Sequence, residues 1–284
     1  MSLFTTIAGT TTAQRATANR TTIGRPQIFI YLILGLLLIL TFIPILYLAI
    51  LSLKDNGQIY DRFWSLPRPY RWENFYFSLL VIWRPILNSI LTSGTSTLGT
   101  LLFASLSGYV FARHRFPGKE IIYTCVLALL MIPPILMLVP AYMLILNFGI
   151  ENTYWALILP WTSGGQVFAT LPEEFFDAAR IDGASELQSF WRIAVPLSMP
   201  ILVTVAVVRL VATYNQFMWP LVVISSPKQQ VVSVALTQFT SEIGVTDLGP
   251  QMAGYIVATI PLIILFSVGM RHYVRGLTAG GLKA

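Results

Sequence analysis

The residue types that usually do chemistry are scarce in this chain, and their scarcity is informative. His114 and His272 are the two histidines and Cys125 the one cysteine. Too few nitrogen and sulfur donors remain to build a zinc-type site, and no intrachain disulfide can form. No glycine-rich phosphate loop, paired-histidine metal helix or Ser–His–acid arrangement can be placed. The chain is therefore expected to be no enzyme and to hold no cofactor of its own. All twelve carboxylates lie outside the long apolar stretches or at their edges. A carrier driven by an ion gradient usually keeps a carboxylate near the bilayer midplane. Without one, energy for transport would have to come from another subunit.

One charge does fall inside an apolar stretch, Arg209, and Tyr214, Asn215, Gln216 and Trp219 follow it closely. A lone arginine at the centre of a membrane helix costs at least ~2.5 kcal/mol on insertion scales. Arg209 must therefore face protein or water. It either lines a pathway or pairs with backbone carbonyls or a neighbouring subunit. Aromatic rings beside amides and a guanidinium suit a polyhydroxyl solute, so Arg209, Tyr214, Asn215 and Trp219 are the candidate pathway residues.

A polar segment, residues 170–196, interrupts the apolar sequence. Thr170 with Glu173 fits a helix capping box with Pro172 in the first turn, and Ser185 with Gln188 fits a second. Gly183 stands between them. The pattern predicts helix, glycine break, helix. Phe175, Phe176, Phe190 and Trp191 are large apolar groups in this polar setting, suited to packing on the bundle or to insertion into a partner.

The elements that must position these residues follow from composition. The chain has 284 residues, 55% hydrophobic and 11% charged, with a mean hydropathy of +0.71. Soluble domains carry roughly 25% charge. Residues 28–53, 85–112, 121–150, 152–172 and 248–270 contain no charge, and 193–227 contains only Arg209. About 20 apolar residues span the hydrocarbon core, and helix satisfies its own backbone there. The expectation is an all-α, polytopic membrane helix bundle of about six transmembrane helices with a helical segment projecting from its membrane face. Its parts would be a tail over 1–27, a transmembrane domain over 28–275 and a second tail over 276–284.

Lys and Arg set the orientation. Of eighteen, eleven fall on the side of the N-terminus and six opposite, namely Lys54, Arg62, Arg68, Arg71, Arg84 and Lys228. Both termini are thus expected in the cytoplasm, and the +6 net charge reads as an orientation signal, not nucleic-acid binding. The outer loop over 54–84 holds Trp64, Tyr70, Trp72, Phe75, Tyr76 and Trp83, as an interfacial aromatic belt or a docking surface. In the second stretch Asn88, Thr92, Ser96, Thr100, Ala104, Gly108 and Ala112 recur every four residues. Such a stripe allows close helix packing, with a polar pathway as the other use.

The 170–196 segment resembles the cytoplasmic loop of ABC importer permeases. The family pattern is Glu-Ala-Ala, three residues, Gly, nine residues, Ile, one residue, Leu-Pro. Asp177-Ala178-Ala179 is followed at that spacing by Gly183, Ile193 and Val195-Pro196. Aspartate replaces the glutamate and valine the leucine. Asn88-Ser89, the run 109–118 (YVFARHRFPG), 131–134 (MIPP), 154–160 (YWALILP), 215–220 (NQFMWP) and the tail 276–284 (GLTAGGLKA) are similar to the carbohydrate branch. The tail resembles that of the second permease subunit of maltose-type importers. The resemblance implies a bacterial or archaeal cytoplasmic-membrane complex. In it, two permease subunits form the pathway for a sugar or oligosaccharide, an ATPase dimer uses ATP and Mg, and an extracytoplasmic binding protein delivers the solute. A polyol or glycerol phosphate is the alternative solute, and an ion-coupled carrier the alternative class. Glu173, Glu174, Asp177, Ala178, Ala179, Gly183 and Pro196 would couple to the ATPase through a cytoplasmic coupling helix, and Thr278, Gly280 and Gly281 would reach it from the tail. One departure stands out: similar proteins carry further residues between Ala169 and Thr170. Here the fourth stretch is left at about 25 Å as a helix, short for a core of ~30 Å.

Overall fold

The computed structural model describes residues 25–162, 183–242 and 247–281. Within these the chain is helical. It divides into a unit over residues 1–47 and a larger one over 48–284. Helix α1, Arg25–Leu51, supplies the described part of the first unit. No residue in its most apolar window is buried within the chain. A helix apolar on every side belongs in lipid or against another subunit.

In the second unit, after the short helix α2 (Asn56–Asp61), the central element is α3, Glu73–Arg113. Its 41 residues make it about 60 Å long, so it reaches well beyond one bilayer core. The four-residue stripe is its buried face: Asn88, Thr92, Ser96, Thr100, Ala104 and Gly108 are buried, while Ala112 at the end is exposed. The hydroxyls of Thr92 and Ser93 donate to carbonyls four residues back, at 2.8 and 2.5 Å. That pairs these hydroxyls within the helix and leaves small surfaces for neighbours.

The third apolar stretch is broken. Helix α4 (Lys119–Leu130) and helix α5 (Leu138–Asn147, preceded by a 3-10 turn) meet at 97° across Met131–Pro133. Pro133 and Pro134 cannot donate the amide hydrogen bonds that would continue the helix. The fourth stretch is α6, Tyr154–Thr162, and its remainder lies outside the described residues, as does the chain departure after Ala169. Next come α7 (Glu186–Ser189), a π-helical turn (Phe190–Ala194) and α8 (Val195–Tyr214), then α9 (Met218–Val223), α10 (Val232–Glu242) and α11 (Leu248–Gly281). Among the described residues, four helical stretches are long and apolar enough to cross a membrane, and the bent α4–α5 pair makes a fifth. Helix α3 packs against α6, α8, α10 and α11. Six spans were expected; the fourth stretch supplies only the nine-residue α6 among the described residues, which is too short to cross a membrane, and α3 starts earlier than its charge-free run.

The outer loop is pinned by polar contacts. The Lys54 side chain is fully buried and donates to the carbonyls of Arg62 and Phe63 at 2.9 and 2.7 Å. Burial pushes its pKa below the usual lysine range. Asn74 Nδ2 donates to the carbonyls of Ser52 and Lys54, and the Leu248 amide to Asn56 Oδ1. Gly249 lies so close that an added Cβ would stand 2.6 Å from Asn74 Nδ2. By contrast Trp64, Tyr60, Tyr76 and Trp72 are exposed.

Candidate functional site

The coupling segment is described from Gly183 onward. Glu173, Glu174, Asp177, Ala178 and Ala179 lie outside the described residues, as do Phe175 and Phe176. Gly183 has φ +74°, in the left-handed region where a side chain is disfavoured. The chain then reverses into α7 through the capping box read from the sequence. The Gln188 amide donates to Ser185 Oγ at 3.3 Å, and the Ser185 amide to Gln188 Oε1 at 2.9 Å. These satisfy donors that a helix start leaves unpaired.

Of the large apolar groups of this segment, Phe190 is packed on the bundle. Phe190 is buried against Tyr109 of α3, ring centroids 5.4 Å apart at 72°, with Ala194 in the same cluster. Trp191 and Leu187 are exposed, and the Trp191 ring stands edge-on to Phe190, centroids 5.0 Å apart. Tyr109 adds a polar contact: its hydroxyl donates to Glu186 Oε2 at 2.9 Å. His114 Nε2 stands 3.7 Å from the same oxygen, an ion pair when the imidazole is protonated. Pro196 sits in the first turn of α8, just after the π turn in a helical run continuous from Glu186 to Tyr214, and cannot donate an amide hydrogen bond back into that turn. The π turn before it makes the junction between coupling segment and span irregular. Such turns recur at functional sites.

The pathway candidates are placed as follows. Arg209 Nη2 donates to the Trp161 carbonyl at 2.8 Å, and its guanidinium carbon lies 5.3 Å from the centre of the Trp161 ring. The same carbonyl accepts from Thr100 Oγ1 at 2.6 Å. Of the two uses read for Arg209, pairing with a backbone carbonyl is the one seen. Three helices, α3, α6 and α8, thus meet at one oxygen. Tyr214 is buried and donates to the Ala258 carbonyl of α11 at 2.9 Å. Trp219 is buried and donates through Nε1 to the Ala156 carbonyl at 2.8 Å. Asn215 is exposed, its amide on the Val211 carbonyl.

Tyr214 and Asn215 border an open cavity of about 300 Å³ with Phe217, Ser233, Tyr255 and Thr259. A narrower cleft collects Thr92, Ser93, Ser96, Thr213, Gln216 and Trp161. The tail residues Thr278, Gly280 and Gly281 lie in the backbone of α11, and their side chains are outside the described residues.

Asn88 and Ser89, read from the sequence only as part of a stripe and a resemblance, and Asn152, which that reading passed over, also hold the bundle together. Asn88 Nδ2 donates to the carbonyls of Lys228 and Gln230, and Asn88 Oδ1 accepts from the Tyr154 hydroxyl at 2.8 Å. Ser89 Oγ accepts from the Val232 amide. Asn152 Oδ1 accepts from the amides of Ser225 and Ser226. The buried four-residue stripe carried a signal for Asn88. Nothing local marked Asn152 or the Tyr109–Glu186 pair.

The chain was compared with known proteins. A family model described as binding-protein-dependent transport system inner membrane component matches residues 100–279. A probable ABC transporter permease protein, YurM of Bacillus subtilis, is 30% identical over 275 residues, covering 92% of this chain and 89% of that protein. The arabinooligosaccharides transport system permease protein AraQ of Halalkalibacterium halodurans is 31% identical over 253 residues, covering 84% and 90%. In three dimensions the chain superposes with TM-score 0.72 and 18% identity on a bacterial ABC transporter involved in import of the acidic polysaccharide alginate, covering 87% of this chain and 95% of that one. Apolar spans around a small-residue α3, a capped polar segment after Gly183 and the family match over more than half its length have one reading: the chain belongs to the binding-protein-dependent transport system inner membrane components, the permease subunits of ABC transporters.

Proposed function

We propose that this permease forms half of the transmembrane pathway of an ATP-driven importer for a sugar or oligosaccharide. A second permease subunit supplies the other half, an ATPase dimer hydrolyses ATP with Mg, and an extracytoplasmic binding protein delivers the solute. Both termini face the cytoplasm of a bacterial or archaeal cell. The observation that carries this reading is the family match over residues 100–279. The solute class is supported by the relative named for arabinooligosaccharides.

In this reading the 170–196 segment docks on the ATPase. Asp177, helped by Glu173 and Glu174, meets a basic residue there, Ala178 and Ala179 admit a close wall, and Gly183 aims α7. Exposed Leu187 and Trp191 supply apolar area for the contact. The tail with Thr278, Gly280 and Gly281 reaches the ATPase dimer.

The test is reconstitution with a partner permease, ATPase and binding protein from the same organism, in proteoliposomes loaded with ATP and Mg. Uptake of an oligosaccharide that needs both ATP and the binding protein is the expected result. Uptake driven by a proton or sodium gradient without ATP would overturn it. Uptake of glycerol phosphate or a polyol but of no sugar would overturn the solute class alone.

A further inference from the structure

The coupling segment continues covalently into α8. The structure ties it to a second span as well. Glu186 is the first residue of α7, and Tyr109 of α3 holds its carboxylate oxygen at 2.9 Å. Phe190, one turn further on, is buried against the ring of the same tyrosine. Beyond it the backbone passes through the π turn, Phe190–Ala194. Such a turn is an irregular joint, and a push on α7 could be absorbed there by bending instead of reaching α8.

We infer that Tyr109 is a positioning residue for energy coupling: its hydroxyl struts Glu186 so that displacement of the coupling segment moves α3 together with α8. This rests on the docking role proposed for the 170–196 segment. Helix α3 is the element packed against α6, α8, α10 and α11, so a displacement delivered to it is shared by the rest of the bundle. Helix α8 packs mainly on α3 and α11, so the same displacement delivered to α8 alone would reach α6 and α10 mainly through those two. The ring of Tyr109 sets the distance, by packing on Phe190. The hydroxyl sets the register, because its acceptor is a single carboxylate oxygen.

The experiment uses the complete reconstituted transporter and reads binding-protein-stimulated ATP hydrolysis and solute uptake on the same vesicles. Tyr109→Phe removes the hydroxyl and keeps the ring. A hydrogen bond to an ionised acceptor is worth roughly a factor of ten in an equilibrium. Uptake per ATP hydrolysed is therefore expected to fall about tenfold, while the ATPase still co-purifies and hydrolyses ATP. Glu186→Ala should lower the ratio at least as far, since it also removes the His114 contact. Glu186→Gln, which keeps an oxygen acceptor, should restore a ratio near that of the unaltered chain. Tyr109→Phe combined with Glu186→Ala should be no worse than Glu186→Ala alone, since the hydroxyl then has no acceptor left to lose.

A merely structural role would lower the amount of assembled complex and both rates together, leaving the ratio intact. That result overturns the inference, as does a normal ratio in Tyr109→Phe. If the unaltered chain shows no ATP-driven uptake, the proposed function itself fails, and the inference with it.

Discussion

The Trp161 carbonyl should behave as one acceptor shared by two donors, and a double-mutant cycle can read this directly. Arg209→Leu forfeits a 2.8 Å hydrogen bond and a guanidinium stacked 5.3 Å from an indole centre. A hydrogen bond from a charged donor contributes about 1.5–3 kcal/mol, and the ring contact about 0.5–2 kcal/mol. Against this, removing arginine from a membrane span returns about 2.5–3.5 kcal/mol of insertion cost. The terms nearly cancel, so Arg209→Leu alone should shift stability by no more than about 2 kcal/mol in either direction. Thr100→Val removes a neutral 2.6 Å bond, worth about 1 kcal/mol. In each single variant the carbonyl keeps its other side-chain donor. In the double variant it loses both inside an apolar bundle, and an unpaired buried acceptor costs about 1–3 kcal/mol more. Denaturant titration of the purified chain in micelles, followed by helix signal, should therefore show the double variant about 1–3 kcal/mol less stable than the sum of the singles. Additivity within about 0.5 kcal/mol would mean that another donor serves this carbonyl and that the shared-acceptor account is wrong.

Gly183→Ala meets a φ of +74° and should cost about 1–2 kcal/mol locally. The observable result is a permease that inserts in the membrane yet co-purifies less ATPase; unchanged co-purification and uptake would refute the role given to this turn. Cysteine placed at position 215 should react with a water-soluble thiol reagent and at 214 or 219 should not, because Asn215 is exposed while Tyr214 and Trp219 are buried. Equal labelling at all three sites contradicts the packing. Gly249→Ala should loosen the outer loop, since the new methyl collides with the Lys54 backbone carbonyl and with Asn74, which holds the carbonyls of Ser52 and Lys54. Faster proteolysis or amide exchange over residues 54–74 is the measurement, and protection equal to the unaltered chain would count against it. Asn88→Ala removes the bonds to Lys228 and Gln230. It should raise exchange over 224–232 while leaving α3 helical, and no change there would show that the loop is held by other contacts.

The parts of this molecule readable without a structure are those set by neighbours along the chain. Charge-free runs marked the spans because burying ionised groups in lipid is prohibitive whatever the fold. Ser185 and Gln188 marked a helix start because a capping box closes within four residues, and Gly183 marked the turn before it. The four-residue spacing from Asn88 to Gly108 marked one helix face, and that face is the buried one. Side-chain partners were decided only by tertiary packing. Arg209 and Trp161 are 48 residues apart, Tyr109 and Glu186 are 77, and Tyr214 and Ala258 are 44. Each pairing depends on which faces of two helices meet, and hydropathy is silent on that when a helix is apolar nearly all round. Lys54 shows the same limit from the other side. Its position in a basic outer loop reads as an exposed charge, yet the fold buries its ammonium on two carbonyls. Composition ranks a group by its solvent preference, but where the group ends is settled by the partners that packing brings within about 3 Å.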